Sequence, residues 1–148
     1  MWKERETMTV NKLLEAAAVR LGELFPGRHV FADTVKNHAD GNFYIRCVEQ
    51  SHTKRLGRRR DRAYSFEILY FLKSDDPFGF NEWAETMYSE FETVTADGHV
   101  FHVSNAHAED GDDMVFHFVY DVVFSALYAP ETENSMGGFT LAEGLKND

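Results

Sequence analysis

Two stretches of this chain alternate so regularly that they leave little freedom in how it can fold. In one, Tyr64, Phe66, Ile68, Tyr70 and Leu72 occupy every second position, and in the other Phe116, Phe118, Tyr120, Val122 and Phe124 do the same. Successive side chains of a strand point to opposite faces, so strands are predicted over Ala63 to Leu72 and Met114 to Phe124, each with a large apolar face. The second carries Val115, Val119 and Val123 on its other face beside His117 and Asp121, which suits a central strand. Such faces need a cover.

Helical periodicity supplies it twice. Val10, Leu13, Leu14, Ala17, Leu21 and Leu24 recur at helical spacing within residues 8–25, Thr9 is a good N-cap, and Phe25-Pro26-Gly27 closes the helix. A second helix is predicted from about Phe80 to Glu92, with Phe80, Trp83, Ala84, Met87 and Phe91 on one face. Shorter strands are expected at His29 to Val35 and Phe43 to Glu49. Between them Asn37 to Asn42 reads as a turn carrying Asp40-Gly41, a favoured hairpin pair. Gly98 to Asn105 alternates weakly, with Val100 and His102 on one side. With the acidic turn Glu109 to Asp113 and the long strand that follows, it predicts a closing hairpin.

Between the second and third strands lies the sharpest charge feature. Lys54, Arg55, Arg58, Arg59, Arg60 and Arg62 place six positive charges in nine residues, opposed only by Asp61. The connection Gln50 to Arg62 has no apolar period and contains Gly57, so it is either a loop or an extended hairpin arm. Crowded like charges repel, so such a segment is expected to face something negative. The whole chain is acidic, with a formal charge of −10, but unevenly so. Residues 1–73 hold fourteen basic and nine acidic side chains, and residues 74–148 hold one and sixteen. A chain this polar suits head-to-tail association better than free nucleic-acid binding, since its net field repels phosphate.

At 148 residues and 43% hydrophobic content the chain is expected to form one domain over residues 1–128, followed by a mobile C-terminal arm over 129–148. The single cysteine, Cys47, excludes an intrachain disulfide and reads as a buried, inert thiol. The charged stretch Met1 to Thr9 lacks the apolar core of a signal peptide, and no run is long enough to span a bilayer. A soluble protein made in a cytoplasm is expected, with no membrane partner.

Catalytic signals are weak. His99, His102, His107, Asp110, Asp112, Asp113 and His117 look like metal ligands, but His99 and His102 sit three apart on a strand and point to opposite faces. The acidic turn lacks the glutamate that would complete a calcium loop. Nucleophile elbows and phosphate-binding glycine loops are absent from the sequence, so neither an enzyme nor a cofactor is expected.

The order helix, strands, basic connection, alternating strand, helix and acidic hairpin resembles the phage tail terminator family of tailed bacteriophages and prophages. The residues that carry the resemblance are Phe31 to Lys36, Phe43 to Val48 and, most strongly, Leu56 to Phe71. It spans roughly residues 8–125, and the closing Glu143-Gly144-Leu145-Lys146 is also similar to family tails. A departure is Asp40-Gly41-Asn42, where family members often carry proline. The resemblance implies a subunit of a hexameric ring at the head-proximal end of the tail tube. Such a ring would stop tube growth and meet a head connector protein, with no cofactor or reaction. The expected fold is α+β, with two helices packed on one face of a mixed, mostly antiparallel sheet. Its expected place is the virion tail, assembled in the host cytoplasm. Lys54, Arg55, Arg58, Arg59, Arg60 and Arg62 would then lie on a loop facing a neighbouring subunit, the tail tube protein, or DNA in the lumen. The rival readings are a basic-loop nucleic-acid binder of a mobile element and a small metal-dependent enzyme.

Overall fold

In the computed structural model, which describes residues 8–32, 41–71, 77–111 and 115–127, Thr9 caps helix α1 (Val10–Leu24) by accepting from the Lys12 amide at 3.3 Å. Leu13, Ala16, Ala17 and Leu21 face inward at helical spacing. The helix ends where Phe25 donates back to Leu21 and Gly27 turns the chain at φ +88°, a conformation that a side chain would strain. Strands β1 (Val30–Phe31), β2 (Phe43–Lys54) and β3 (Arg59–Phe71) follow, then helix α2 (Pro77–Glu90) and strands β4 (Thr93–Ala96), β5 (His99–His102), β6 (Ser104–Asp110) and β7 (Val115–Leu127).

Five strands form one sheet in the order β1-β2-β3-β7-β6, and β4 and β5 pair separately. The β1–β2 pairing is parallel, and the other described pairings are antiparallel. Both helices lie on one face. Leu13, Ala17 and Leu21 of α1 and Trp83 and Met87 of α2 share a core with Phe43, Ile45, Phe66, Ile68, Phe116, Phe118 and Tyr120 of the sheet. The fold is therefore α+β, with two helices on one face of a mixed, mostly antiparallel sheet. The two alternating strands are neighbours in it, as β3 and β7. The C-terminal arm expected over 129–148, and Leu72, lie outside the described residues.

Three local expectations are corrected. Asp40-Gly41 does not close a hairpin between β1 and β2, because Val30 pairs with Phe43 and Phe31 with Tyr44 in parallel. Parallel neighbours need a crossover, not a tight turn. Gly41, at φ +86°, instead donates to the Phe71 carbonyl at the end of the β2–β3 ladder. Asp40 itself is outside the described residues.

The expected strand from Gly98 to Asn105 is two strands in two sheets, β5 and β6, parted at Val103. A hairpin that the sequence reading missed, β4–β5, turns on Asp97 and Gly98 at φ +51° and +77°. That is the primed geometry for which Asp-Gly is suited. Its inward side chain is Phe101, 6% exposed, while Val100, 58% exposed, and His102 share the outer side. Lys12 Nζ ties this hairpin to α1 through Asp97 at 2.7 Å.

The acidic stretch expected to turn begins as strand. Glu109 and Asp110 belong to β6, paired with His117 and Phe116. Asp112 and Asp113 are outside the described residues.

Candidate functional site: a basic three-stranded arm

The alternative left open for Gln50 to Arg62 resolves as an extended hairpin. β2 and β3 stay paired out to Lys54 and Arg60, and Arg55 to Arg58 make the tip, with Gly57 at φ +71°. Arg55 donates its amide to the Arg59 carbonyl at 3.0 Å to close it. β7 accompanies β3 as far as the Arg59–Leu127 pair, so the arm has three strands. The missing apolar period has a simple cause. Glu49 to Lys54 lie along β2 beyond the core and are exposed, so the ladder there needs backbone partners but no buried face.

A bulge sets which side chains point where. The β2–β3 register shifts between Cys47 and Glu49, so Val48 is the extra residue. Phe43, Ile45 and Cys47 oppose the core residues Tyr70, Ile68 and Phe66, and beyond the bulge Gln50, His52 and Lys54 oppose Tyr64, Arg62 and Arg60. Without that slip His52 would leave the core-side face. Cys47, beside the bulge, is half-buried. Burial pushes its thiol pKa up, which makes it a poor nucleophile.

On the core-side face His52 meets Arg62, and here the sequence-based placement of Arg62 on the interface loop is corrected. Arg62 is a β3 residue only 5% exposed. Its guanidinium lies 5.3 Å from the Tyr64 ring centroid and 5.4 Å from that of Phe124. It donates to the Met8 carbonyl, the Tyr64 hydroxyl and His52 Nε2. Arginine cannot accept, so His52 Nε2 must be an acceptor and the ring proton sits on Nδ1. Arg62 thus fastens the base of the arm to the residue preceding the N-cap of α1.

The outward face carries three acid-centred ties, one above another. Nearest the tip, Asp61 accepts from Ser125 Oγ at 2.6 Å, Arg55 Nε at 2.6 Å and Arg59 Nε at 3.0 Å. The Ser125 hydroxyl first, then the two guanidinium groups, hold its carboxyl well below the usual carboxylate range. Lower down, Asp121 accepts from Ser65 at 2.6 Å and from Asn105 at 3.1 Å. Lowest, Glu67 lies between His117 Nδ1 at 2.8 Å and Arg46, whose Nη2 donates at 2.6 Å. Burial alone would raise the Glu67 carboxyl, but the His117 and Arg46 hydrogen bonds outweigh it and leave it below its ordinary 4.5.

Sequence reasoning missed these ties. The signal was available, since Asp61, Ser65 and Glu67, and likewise His117, Asp121 and Ser125, are polar residues an even number of positions apart and so share one face of their strand. Of the candidate metal ligands, His117 serves Glu67 and His107 lies 3.3 Å from Glu109. Among the described residues, groups of three or more metal-ligating side chains do not converge.

These groups set the expected pH response. Burial and then the Arg62 charge push the His52 ring below its ordinary 6.5, so the unfolded chain binds this proton more readily. The stability that His52 contributes is complete above 6.5 and is lost as pH falls from there through its folded value. Glu67 and Asp61 act in the same direction lower down, losing their contribution as pH falls below their ordinary 4.5 and 3.8. Denaturant titrations across this range should show stability falling in two stages. His52→Gln should remove the upper stage and Glu67→Gln should weaken the lower. An unchanged upper stage in His52→Gln would contradict this assignment.

What remains at the tip is strongly positive. Lys54, Arg55, Arg58 and Arg59 are exposed and Arg60 is half-buried. Leu56, between Arg55 and Gly57, is 97% exposed. Five of the six predicted cations therefore gather at one end of the arm, with two of them paired to Asp61, and the sixth is structural.

A family model described as phage tail terminator protein matches residues 12–135. A solved structure covers 84% of this chain and 100% of its own, at 11% sequence identity and a TM-score of 0.45, too loose a likeness to carry an argument. No curated protein matches in sequence.

Proposed function

The chain belongs to the phage tail terminator family, a structural component of the phage tail, and from that premise we propose that it caps the head-proximal end of the tail tube as a hexameric ring. The carrying observation is the extent of the match. Residues 12–135 take in the arm, both sheets, α2 and nearly all of α1, so the resemblance concerns the whole fold and not one motif. A tube grows because each ring repeats the surface to which the next ring binds. A cap must bind that surface on one side and offer a different one on the other, which a head-to-tail ring of asymmetric subunits can do. Its partners would be the tail tube protein below, a head connector protein above and, at the lumen, the DNA that passes through. Among the described residues, no helix is long and apolar enough to cross a membrane.

The test is tube assembly from the cognate tube protein, with and without this chain, read as tube length by negative-stain microscopy. Tubes should run on without it and stop short with it, and labelled chain should sit at one end only. Binding along the tube wall, or lengths unaffected by stoichiometric addition, would refute the capping role.

A further inference from the structure

Charge in this fold is laid out along one strand. At one end of β7, Leu127 pairs with Arg59 beside the arm tip, and toward the other end Phe116 pairs with Asp110. At roughly 3.3 Å of rise per residue those two positions lie about 36 Å apart. On the side formed by β6 and α2 the far end is negative, while Arg28 lies over Tyr70 on the β3 side. Glu109 and Asp110 are exposed there on β6, and α2 begins there, with the rings of Phe80 and Trp83 against Phe116 at 4.9 and 5.7 Å. The outward residues of α2 include the exposed Glu82 and Glu85, and the helix contains neither lysine nor arginine.

Basic tip and acidic end are thus held apart by a continuous strand, too far for one to neutralise the other within a chain. In a second copy set head to tail they would meet. We propose that the arm tip of each subunit docks on the acidic end of the next, with Lys54 and Arg58 facing Glu82, Glu85 and Asp110, and Leu56 adding apolar area that a purely ionic contact lacks. The proposal rests on the ring reading for closure, and it names the surfaces that close the ring. A second copy is the favoured occupant because this chain carries the complement itself: fifteen of the sixteen acidic charges beyond residue 73 have no basic counterpart in that half. The geometry also satisfies a heterologous contact, in which the two patches differ and each subunit offers one of each.

The experiment is a charge swap in the full chain, read by sedimentation velocity, with circular dichroism as the check on folding. Lys54→Glu with Arg58→Glu reverses the tip, and Glu82→Lys with Glu85→Lys reverses the acceptor. All four side chains are exposed, so both variants should fold. Each alone should associate on the order of 100-fold more weakly than the wild type, because like charges then oppose one another. An equimolar mixture should recover association, since each reversed tip finds a reversed acceptor. Wild-type association should also weaken as salt rises past about 0.15 M, where the screening length is about 8 Å.

Self-association of the tip variant at wild-type strength, or failure of the mixture to recover, would overturn the proposal. So would unchanged association accompanied by lost binding to duplex DNA, which would assign the tip to nucleic acid. Tube-length assays on the same variants separate this from the capping role. A tip variant that still limits tubes overturns the docking contact alone. A wild type that does not limit them overturns capping, whatever the mixture does.

Discussion

Arg62→Ala is expected to destabilise the protein by about 3 kcal/mol, the usual cost of removing a charged donor and leaving buried acceptors unsatisfied. The side chain is almost wholly buried and holds together three segments distant in sequence: Met8 before α1, His52 in β2 and Phe124 in β7. Truncation leaves the Met8 carbonyl without this donor and empties the space beside the Tyr64 and Phe124 rings. Thermal unfolding should report a Tm lower by roughly 10 °C. Arg62→Lys should not rescue it, because an ammonium on a flexible stem cannot serve three acceptors in a plane. Arg58→Ala, four residues away at the exposed tip, should change stability by less than about 0.5 kcal/mol. Equal effects at the two sites would mean that Arg62 is not the anchor described.

Phe118→Ala should be costlier, at about 4 kcal/mol. Phe118 is 0% exposed on β7 and meets α2 and the segment after it, with ring centroids 6.3 Å from Trp83, 5.7 Å from Tyr88 and 6.0 Å from Phe91. Removing the ring opens a cavity where sheet and helix join, and neighbours this large cannot collapse into it. Chemical denaturation should show a lower midpoint with an unchanged slope. Phe118→Leu keeps most of the volume and should cost less than half as much. A Phe118→Ala penalty below about 1 kcal/mol would place the true core elsewhere.

Much of this architecture could be read from local pattern. The alternation of Tyr64 to Tyr70 and of Phe116 to Val122 named the buried face of β3 and β7 correctly, because strand geometry sends every second side chain the same way. Thr9 and the apolar spacing after it marked α1, and Trp83, Ala84 and Met87, with Phe91 just beyond the last turn, marked the inner side of α2. Weak alternation misled where the chain changes sheets. Around Val103 nothing in the local pattern says that His99–His102 joins β4 while Ser104–Asp110 joins β7. The Asp40-Gly41 pair misled as well, since a turn-forming dipeptide reports local backbone preference and not the direction of the strand beyond it.

The basic run shows the same division within nine residues. By itself the sequence determined that six cations crowd one segment, that an alternating strand carries them, and which family the chain resembles. All of that is written in near neighbours, whose mutual geometry the backbone constrains. Only the tertiary structure decided that Arg62 is an internal anchor while Lys54, Arg58 and Leu56 stand at a tip, and that Asp61 binds Arg55 and Arg59 there. In one dimension these arginines are interchangeable. They come to differ because Met8, His52 and Phe124, brought from three distant places, converge on one of them and leave the others toward the tip of the arm.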